Sequence, residues 1–164
     1  MSASQGYTVL IDGYNVIKRH AAWERLSLHE ARTRLVALLG QTRWPVPVSR
    51  VMIIFDSPDP DGTSLQISNS LFVRFAAPCA DAEIQHLIRT SSSPLRVIVM
   101  SDDGEILRTA KSYRTLRYPT KWLFEHGSTT RRQPPESDKV PPSAEAARRI
   151  TEELAKRWLR RPAA

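Results

Sequence analysis

Three of the most apolar stretches of this chain, 7–11, 51–55 and 97–100, run into an aspartate: Asp12 and Asp56 directly, Asp102 after Ser101. A short, continuously apolar run closed by a turn residue reads as a strand buried on both faces, and such strands belong to parallel sheets. Between them lie segments with helical signatures. Ser27 and Glu30 form a capping box ahead of Leu28, Ala31, Leu35, Leu38 and Leu39, which share one helical face up to Trp44-Pro45. Ile84, Leu87 and Ile88 mark a second helix from Ala80, and Ile106, Leu107 and Ala110 a third from Gly104. Residues 71–76 read as a further strand, 115–117 as a last short strand and 121–126 as a last short helix. The polar stretch around 57–64 reads as a loop, and Asp12-Gly13 as a turn. Strands alternating with helices in this order predict a three-layer α/β/α fold with a mostly parallel central sheet.

At 164 residues, one domain is the expectation, spanning 7–127. Residues 128–143 contain four prolines and hardly any large apolar group, which predicts a linker. Residues 144–161 place Ala147, Ile150, Leu154 and Trp158 on one stripe of a basic amphipathic helix, either docked on the body or awaiting a partner. Deleting 129–164 and following the melting temperature separates these two. No apolar run is long enough to span a bilayer, and the N-terminus lacks the pattern of a secretory signal, so a cytoplasmic location is expected. The single Cys79 excludes an intramolecular disulfide and a thiolate zinc cluster.

In a parallel sheet all strand C-termini lie at one edge, where open α/β proteins bind their ligands. Asp12, Asp56 and Asp102 therefore fall on one rim, with Asp81 at the start of the helix after the 71–76 strand. Each has a bland explanation. Asp12-Gly13 is a common turn, Asp56 starts a turn, Asp81 with Glu83 complements a helix N-terminus, and Asp102-Asp103 is a helix cap. Taken together, four carboxylates at one edge would repel one another unless a cation sat among them. Oxygen ligands without His or Cys suit Mg²⁺ or Mn²⁺. Asn15 either holds a tight loop or orients Asp12, and Ser101 either bonds its local backbone or a neighbouring carboxylate.

The charge points to a polyanion. Lys+Arg number 24 against 17 Asp+Glu, a net charge of +7, and nineteen of the basic residues are arginines. Arginine's fork suits phosphate oxygens, although a GC-rich genome would produce the same bias. Lys18, Arg19 and Arg108 are the candidates nearest the acidic rim. Trp23, Trp44 and Trp122 either pack in the core or stack on bases. The chain has no GxGxxG after a strand, no GxxxxGK[ST] and no GxSxG, which removes dinucleotide, P-loop and α/β-hydrolase chemistry.

The segment Leu10-Ile11-Asp12-Gly13-Tyr14-Asn15-Val16-Ile17 resembles the opening motif of the YacP-like NYN domains, a branch of the PIN-like nucleases. Ile54-Phe55-Asp56, Val73-Arg74-Phe75-Ala76 with Ala80-Asp81-Ala82-Glu83-Ile84, and Val99-Met100-Ser101-Asp102 resemble its later elements. Met100 stands where the family usually shows threonine, and Asp103 and Glu105 add acidity beyond the plain motif. The resemblance implies a Mg²⁺- or Mn²⁺-dependent endoribonuclease, with Asp12, Asp81 and Asp102 as the metal-binding core and Asp56 and Asn15 completing or orienting it. It implies an RNA substrate, with ribosome-associated mRNA one form of it. The alternative is a non-catalytic RNA- or ribosome-binding module that keeps the fold.

Overall fold

The computed structural model describes residues 6–57 and 63–126; the linker and terminal helix expected over 128–161 lie outside them. The described chain runs β1 (Tyr7–Asp12), α1 (Gly13–Arg19), α2 (Leu28–Gln41), β2 (Val48–Asp56), β3 (Thr63–Gln66), β4 (Leu71–Ala76), α3 (Ala80–Thr90), β5 (Val97–Met100), α4 (Gly104–Ser112), β6 (Leu116–Tyr118) and α5 (Thr120–His126). The six strands form one sheet in the order β3-β4-β2-β1-β5-β6. All pairs are parallel except β3 with β4.

The period of two along each strand splits the core between the two faces. Val9 and Ile11 of β1, Ile53 and Phe55 of β2, and Ile98 and Met100 of β5 face one way, with Val16, Leu35, Val36, Leu39 and Leu123 from α1, α2 and α5. Leu10, Ile54, Val97 and Val99 face the other, covered by Ala80, Ile84, Ile88, Ile106 and Ala110 from α3 and α4. This is the three-layer arrangement that the alternating pattern predicts. α2 begins with the expected capping box: Ser27 Oγ accepts from the Glu30 N–H at 3.2 Å, and Glu30 Oε2 accepts from the Ser27 N–H at 3.0 Å. Ser27→Ala is expected to lower stability by about 1 kcal/mol in a denaturant titration.

Three elements differ from the sequence expectation. Asp12-Gly13 does not open a simple turn: Asp12 caps α1, its Oδ1 accepting from the Asn15 N–H at 3.4 Å. Part of the polar loop after Asp56 is β3, an antiparallel edge strand in which Leu65 pairs with Val73. The helix expected to reach Trp44 ends at Gln41, and its Leu28 is exposed because it occupies the first turn. In its place Arg32 joins the buried face, 2% exposed, its guanidinium donating to the Tyr14 hydroxyl and lying over the Tyr14 and Phe55 rings. Among the described residues no helix is long and apolar enough to cross a membrane.

Candidate active site

The strand order puts β1 at the middle of the sheet, with β2 on one side and β5 on the other. A chain that leaves β1 toward β2 and later returns on its far side opens a crevice at the C-terminal edge. Asp12 sits in that crevice and is only 6% exposed. Asn15, one helical turn on, reaches across: its Oδ1 accepts from the Asp102 N–H at 3.0 Å. Ser101, fully buried, donates from Oγ to Asp12 Oδ2 at 3.4 Å and accepts from the Asp103 N–H at 3.1 Å. Asn15 and Ser101 thus tie the β1 and β5 ends together around Asp12.

From the other side, β4 leads through the cis Ala77–Pro78 bond into α3. Asp56, at the end of β2, accepts from the Ala80 N–H at 2.6 Å through Oδ1. That bond fixes the first turn of α3, and with it Asp81, against the β2 end. Arg74 and Glu83 pair at 2.7 Å and brace the same turn.

The electrostatics of the group are one-sided. Burial, first, and then the Asp81 and Asp56 carboxylates push the Asp12 carboxyl up to about 6, against the hydrogen bonds from Asn15 and Ser101. Asp81 is also raised, by burial, then by Asp103 and Asp56, with a hydrogen bond to Asp12 pulling the other way. Glu105 adds to the same effect. The ion pairs among the described residues, Arg19–Asp102 and Arg74–Glu83, leave Asp12, Asp56, Asp81 and Asp103 without a basic partner.

The two acids at the β5 end divide their work. Asp102 turns its carboxylate to α5: Oδ1 accepts from the Thr120 N–H at 3.2 Å and Oδ2 from the Thr120 hydroxyl, with Arg19 Nε 3.6 Å away. Asp103 caps α4, its Oδ1 accepting from the Glu105 and Ile106 N–H groups at 2.9 and 3.1 Å, and it is the acid of this pair whose charge acts on Asp81. Of the basic candidates, Arg19 reaches the acidic edge. Lys18 is exposed on the last turn of α1, and Arg108 donates to the carbonyl of Gly104 on its own helix.

Oxygen donors without nitrogen or sulfur suit a hard divalent cation. Among the described residues no three His, Cys, Asp or Glu side chains are arranged as a ready cage. A cation of the Mg²⁺ type does not require one: it binds through one or two carboxylates and keeps much of its water. A carboxyl raised by burial and by like charges, with no basic residue paired to it among the described residues, fits such an ion.

The three-layer domain, its mostly parallel sheet and its acidic C-terminal edge agree with the PIN-like fold that the sequence resemblance implies. The particular family follows from the comparison with known sequences: the model of the YacP-like NYN domain matches residues 9–161, and the chain belongs to that family. The family lies within the PIN-like ribonucleases and implies an RNA-related nuclease function. Two solved structures agree in fold. The crystal structure of a tryptophan-to-leucine mutant of Rae1 (YacP) from Bacillus subtilis is 18% identical, with a TM-score of 0.56 over 94% of this chain and 85% of that one. A second crystal structure of Rae1 (YacP) from Bacillus subtilis gives 18% and 0.53 over 93% and 79%. No curated protein matches the chain.

Proposed function

We propose that the chain is an endoribonuclease that hydrolyses RNA phosphodiester bonds at the Asp12–Asp81 edge with a bound Mg²⁺ or Mn²⁺. One observation carries this: Asp12, buried at the centre of the edge, faces other carboxylates and, among the described residues, no basic side chain. A cation held there would supply Lewis acidity toward a phosphodiester oxygen and lower the pKa of its water.

The residues of the chain do the rest. Asp12 and Asp81, both ionised, would hold the cation. Their raised pKa values make binding compete with protons, so affinity falls below about pH 6. The third carboxylate comes from the β5–α4 turn. The resemblance gives that position to Asp102, and the charge that Asp103 exerts on Asp81 supports Asp103 as the alternative. Asp56 holds α3 in place, while Asn15 and Ser101 orient Asp12. Arg19, and Lys18 and Arg108 with it, receive the phosphate backbone; salt weakens such contacts.

Asp103→Asn keeps the helix cap, since Asn caps as well as Asp. If Asp103 is the third carboxylate, that variant lowers Mn²⁺ affinity by at least about tenfold and Asp102→Asn by less. The reverse ranking, measured by calorimetry, returns the role to Asp102.

The function itself is tested with end-labelled RNA and DNA of matched sequence incubated with Mg²⁺, Mn²⁺ or chelator. Cutting of RNA that stops with chelator is expected. RNA retained in a salt-sensitive way but left intact under every metal condition would identify a binding module instead.

A further inference from the structure

Arg32 and Tyr14 play no part in the chemistry above. Arg32 lies on the buried face of α2, 2% exposed, and its guanidinium donates to the Tyr14 hydroxyl. The same guanidinium lies over two rings, 5.1 Å from the centre of Tyr14 and 5.5 Å from that of Phe55. The two rings meet at 5.0 Å between centres, tilted by 55°. Burying an arginine is costly unless its charge and donors are engaged. Here the buried cation fixes one phenol, by a hydrogen bond and by stacking.

That phenol stands at the acidic edge. Tyr14 is in the first turn of α1, between Asp12, which caps the helix, and Asn15, which accepts from the Asp102 N–H. Its ring packs on Phe55, the residue before Asp56 at the end of β2. The hydroxyl faces Asp56 as well as Arg32: burial raises its pKa, the guanidinium opposes that, and the Asp56 carboxylate adds to it. A phenol oxygen can accept one hydrogen bond and donate another. Arg32 donates to this one, so its own hydrogen is left to give. Among the described residues nothing accepts that hydrogen. Tyr14 is half-buried rather than enclosed.

We propose that the Tyr14 hydroxyl donates to a non-bridging oxygen of the phosphate that is cut, and that Arg32 is the positioning residue that aims it. The proposal rests on the nuclease reading above and names a further residue of that site. An edge of carboxylates repels the phosphate it must receive, so the site needs donors as well as a cation. A lysine or arginine set among these carboxylates would pair with them and compete with the cation. A phenol is neutral near pH 7 and leaves their charge for the metal. With a guanidinium bonded to its oxygen, its O–H is polarised and becomes a stronger donor. Stacking of Arg32 on the Tyr14 and Phe55 rings holds the phenol in place.

The test compares the full-length wild type with Tyr14→Phe and Tyr14→Phe/Arg32→Met, each shown to be folded by cooperative melting. The double variant removes donor and acceptor together, which is milder than taking the phenol oxygen away from a buried guanidinium. Each protein is given Mn²⁺ and an RNA that wild type cuts at one mapped linkage. That linkage is either all-oxygen or carries sulfur at one or the other non-bridging position. Tyr14→Phe is expected to lower kcat/KM by about 10- to 100-fold, as loss of one hydrogen bond to a charged group predicts. Its Mn²⁺ affinity by calorimetry should match that of wild type. Sulfur accepts weakly, so in wild type sulfur at one of the two positions should slow cutting by a similar factor. In both variants the same sulfur should slow cutting no further. The double variant should cut no more slowly than Tyr14→Phe, because Arg32 acts through the hydroxyl. Variants that cut as fast as wild type, or a sulfur effect equal in all three proteins, overturn the proposal. Slower cutting with weakened Mn²⁺ binding overturns it too, and assigns the hydroxyl to Asp56 instead. In each of these cases wild-type cleavage leaves the nuclease reading standing. A wild type that cuts no RNA with Mn²⁺ sinks both.

Discussion

Replacing Asp12 by Asn is expected to make the metal-free protein more stable at pH 7 while removing its cleavage activity. Asp12 titrates near 6 in the folded chain against an ordinary 3.8, because burial and the neighbouring carboxylates oppose its charge. A carboxyl raised in this way favours the folded state while protonated. Its stabilising effect is complete below about pH 4, is lost as pH rises through about 6, and is absent at pH 7. The difference in pKa corresponds to about 3 kcal/mol as an upper figure. Asn keeps the side-chain shape and an oxygen for the Asn15 N–H, so much of that amount should be recovered. In chelator, the melting temperature of Asp12→Asn should exceed that of wild type by several degrees at pH 7 and approach it at about pH 4.5. With saturating Mn²⁺ the order should reverse, because only wild type gains binding energy. Cleavage should fall by more than the roughly 10- to 100-fold that loss of an outer partner of a metal ligand costs. An Asp12→Asn protein less stable than wild type at pH 7 in chelator would contradict the electrostatics described for this edge.

Gly13→Ala is expected to be among the most destabilising single-methyl additions in the chain. A Cβ at residue 13 would lie 2.3, 2.6 and 2.9 Å from Cε1, Cδ1 and Cζ of Phe55. That ring is 1% exposed and held between Tyr14, at 5.0 Å, and Phe75, at 5.9 Å. Neither ring nor helix can yield without disturbing the other, and overpacking of this kind costs about 3 kcal/mol. The requirement for glycine here is one of space. Phe55→Leu shortens the obstruction, so Gly13→Ala/Phe55→Leu should be less destabilised than the two single changes added together, by about 1–3 kcal/mol in a double-mutant cycle. Strict additivity would show that the ring is not what excludes the methyl group.

Much of this arrangement is legible before any coordinates. β1, β2 and β5 announce themselves because strands covered on both faces must be apolar throughout, and α2 because its capping box is local chemistry. α1 is hidden because Gly13, Tyr14 and Asn15 are weak helix formers behind a turn dipeptide, and it forms because Asp12 caps it and Val16 and Ile17 bury against the sheet. β3 is hidden because an edge strand needs little apolar surface: Thr63–Gln66 is short and polar apart from Leu65. The aspartates at the strand ends follow from topology alone. Which way each carboxylate turns does not, since one residue past a strand end decides whether an oxygen meets a helix N–H or the crevice. That is why Asp102 turns to Thr120 while Asp103, its neighbour, acts on Asp81. Arg32 could have been noticed as a charge within the apolar stripe of α2, but its acceptor, Tyr14, is eighteen residues away.

The central claim, that a divalent cation held by Asp12 and Asp81 cuts RNA, is tested most directly by titrating Mn²⁺ calorimetrically into wild type and Asp81→Asn at about pH 6.5 and adding end-labelled RNA to the same samples. Wild type should bind Mn²⁺ with release of protons, because the Asp12 carboxyl it occupies titrates near that pH, and should cut the RNA. Asp81→Asn should remain folded, bind Mn²⁺ at least about tenfold more weakly and leave the RNA intact. Equal Mn²⁺ affinity and equal cleavage by the two proteins would contradict the account.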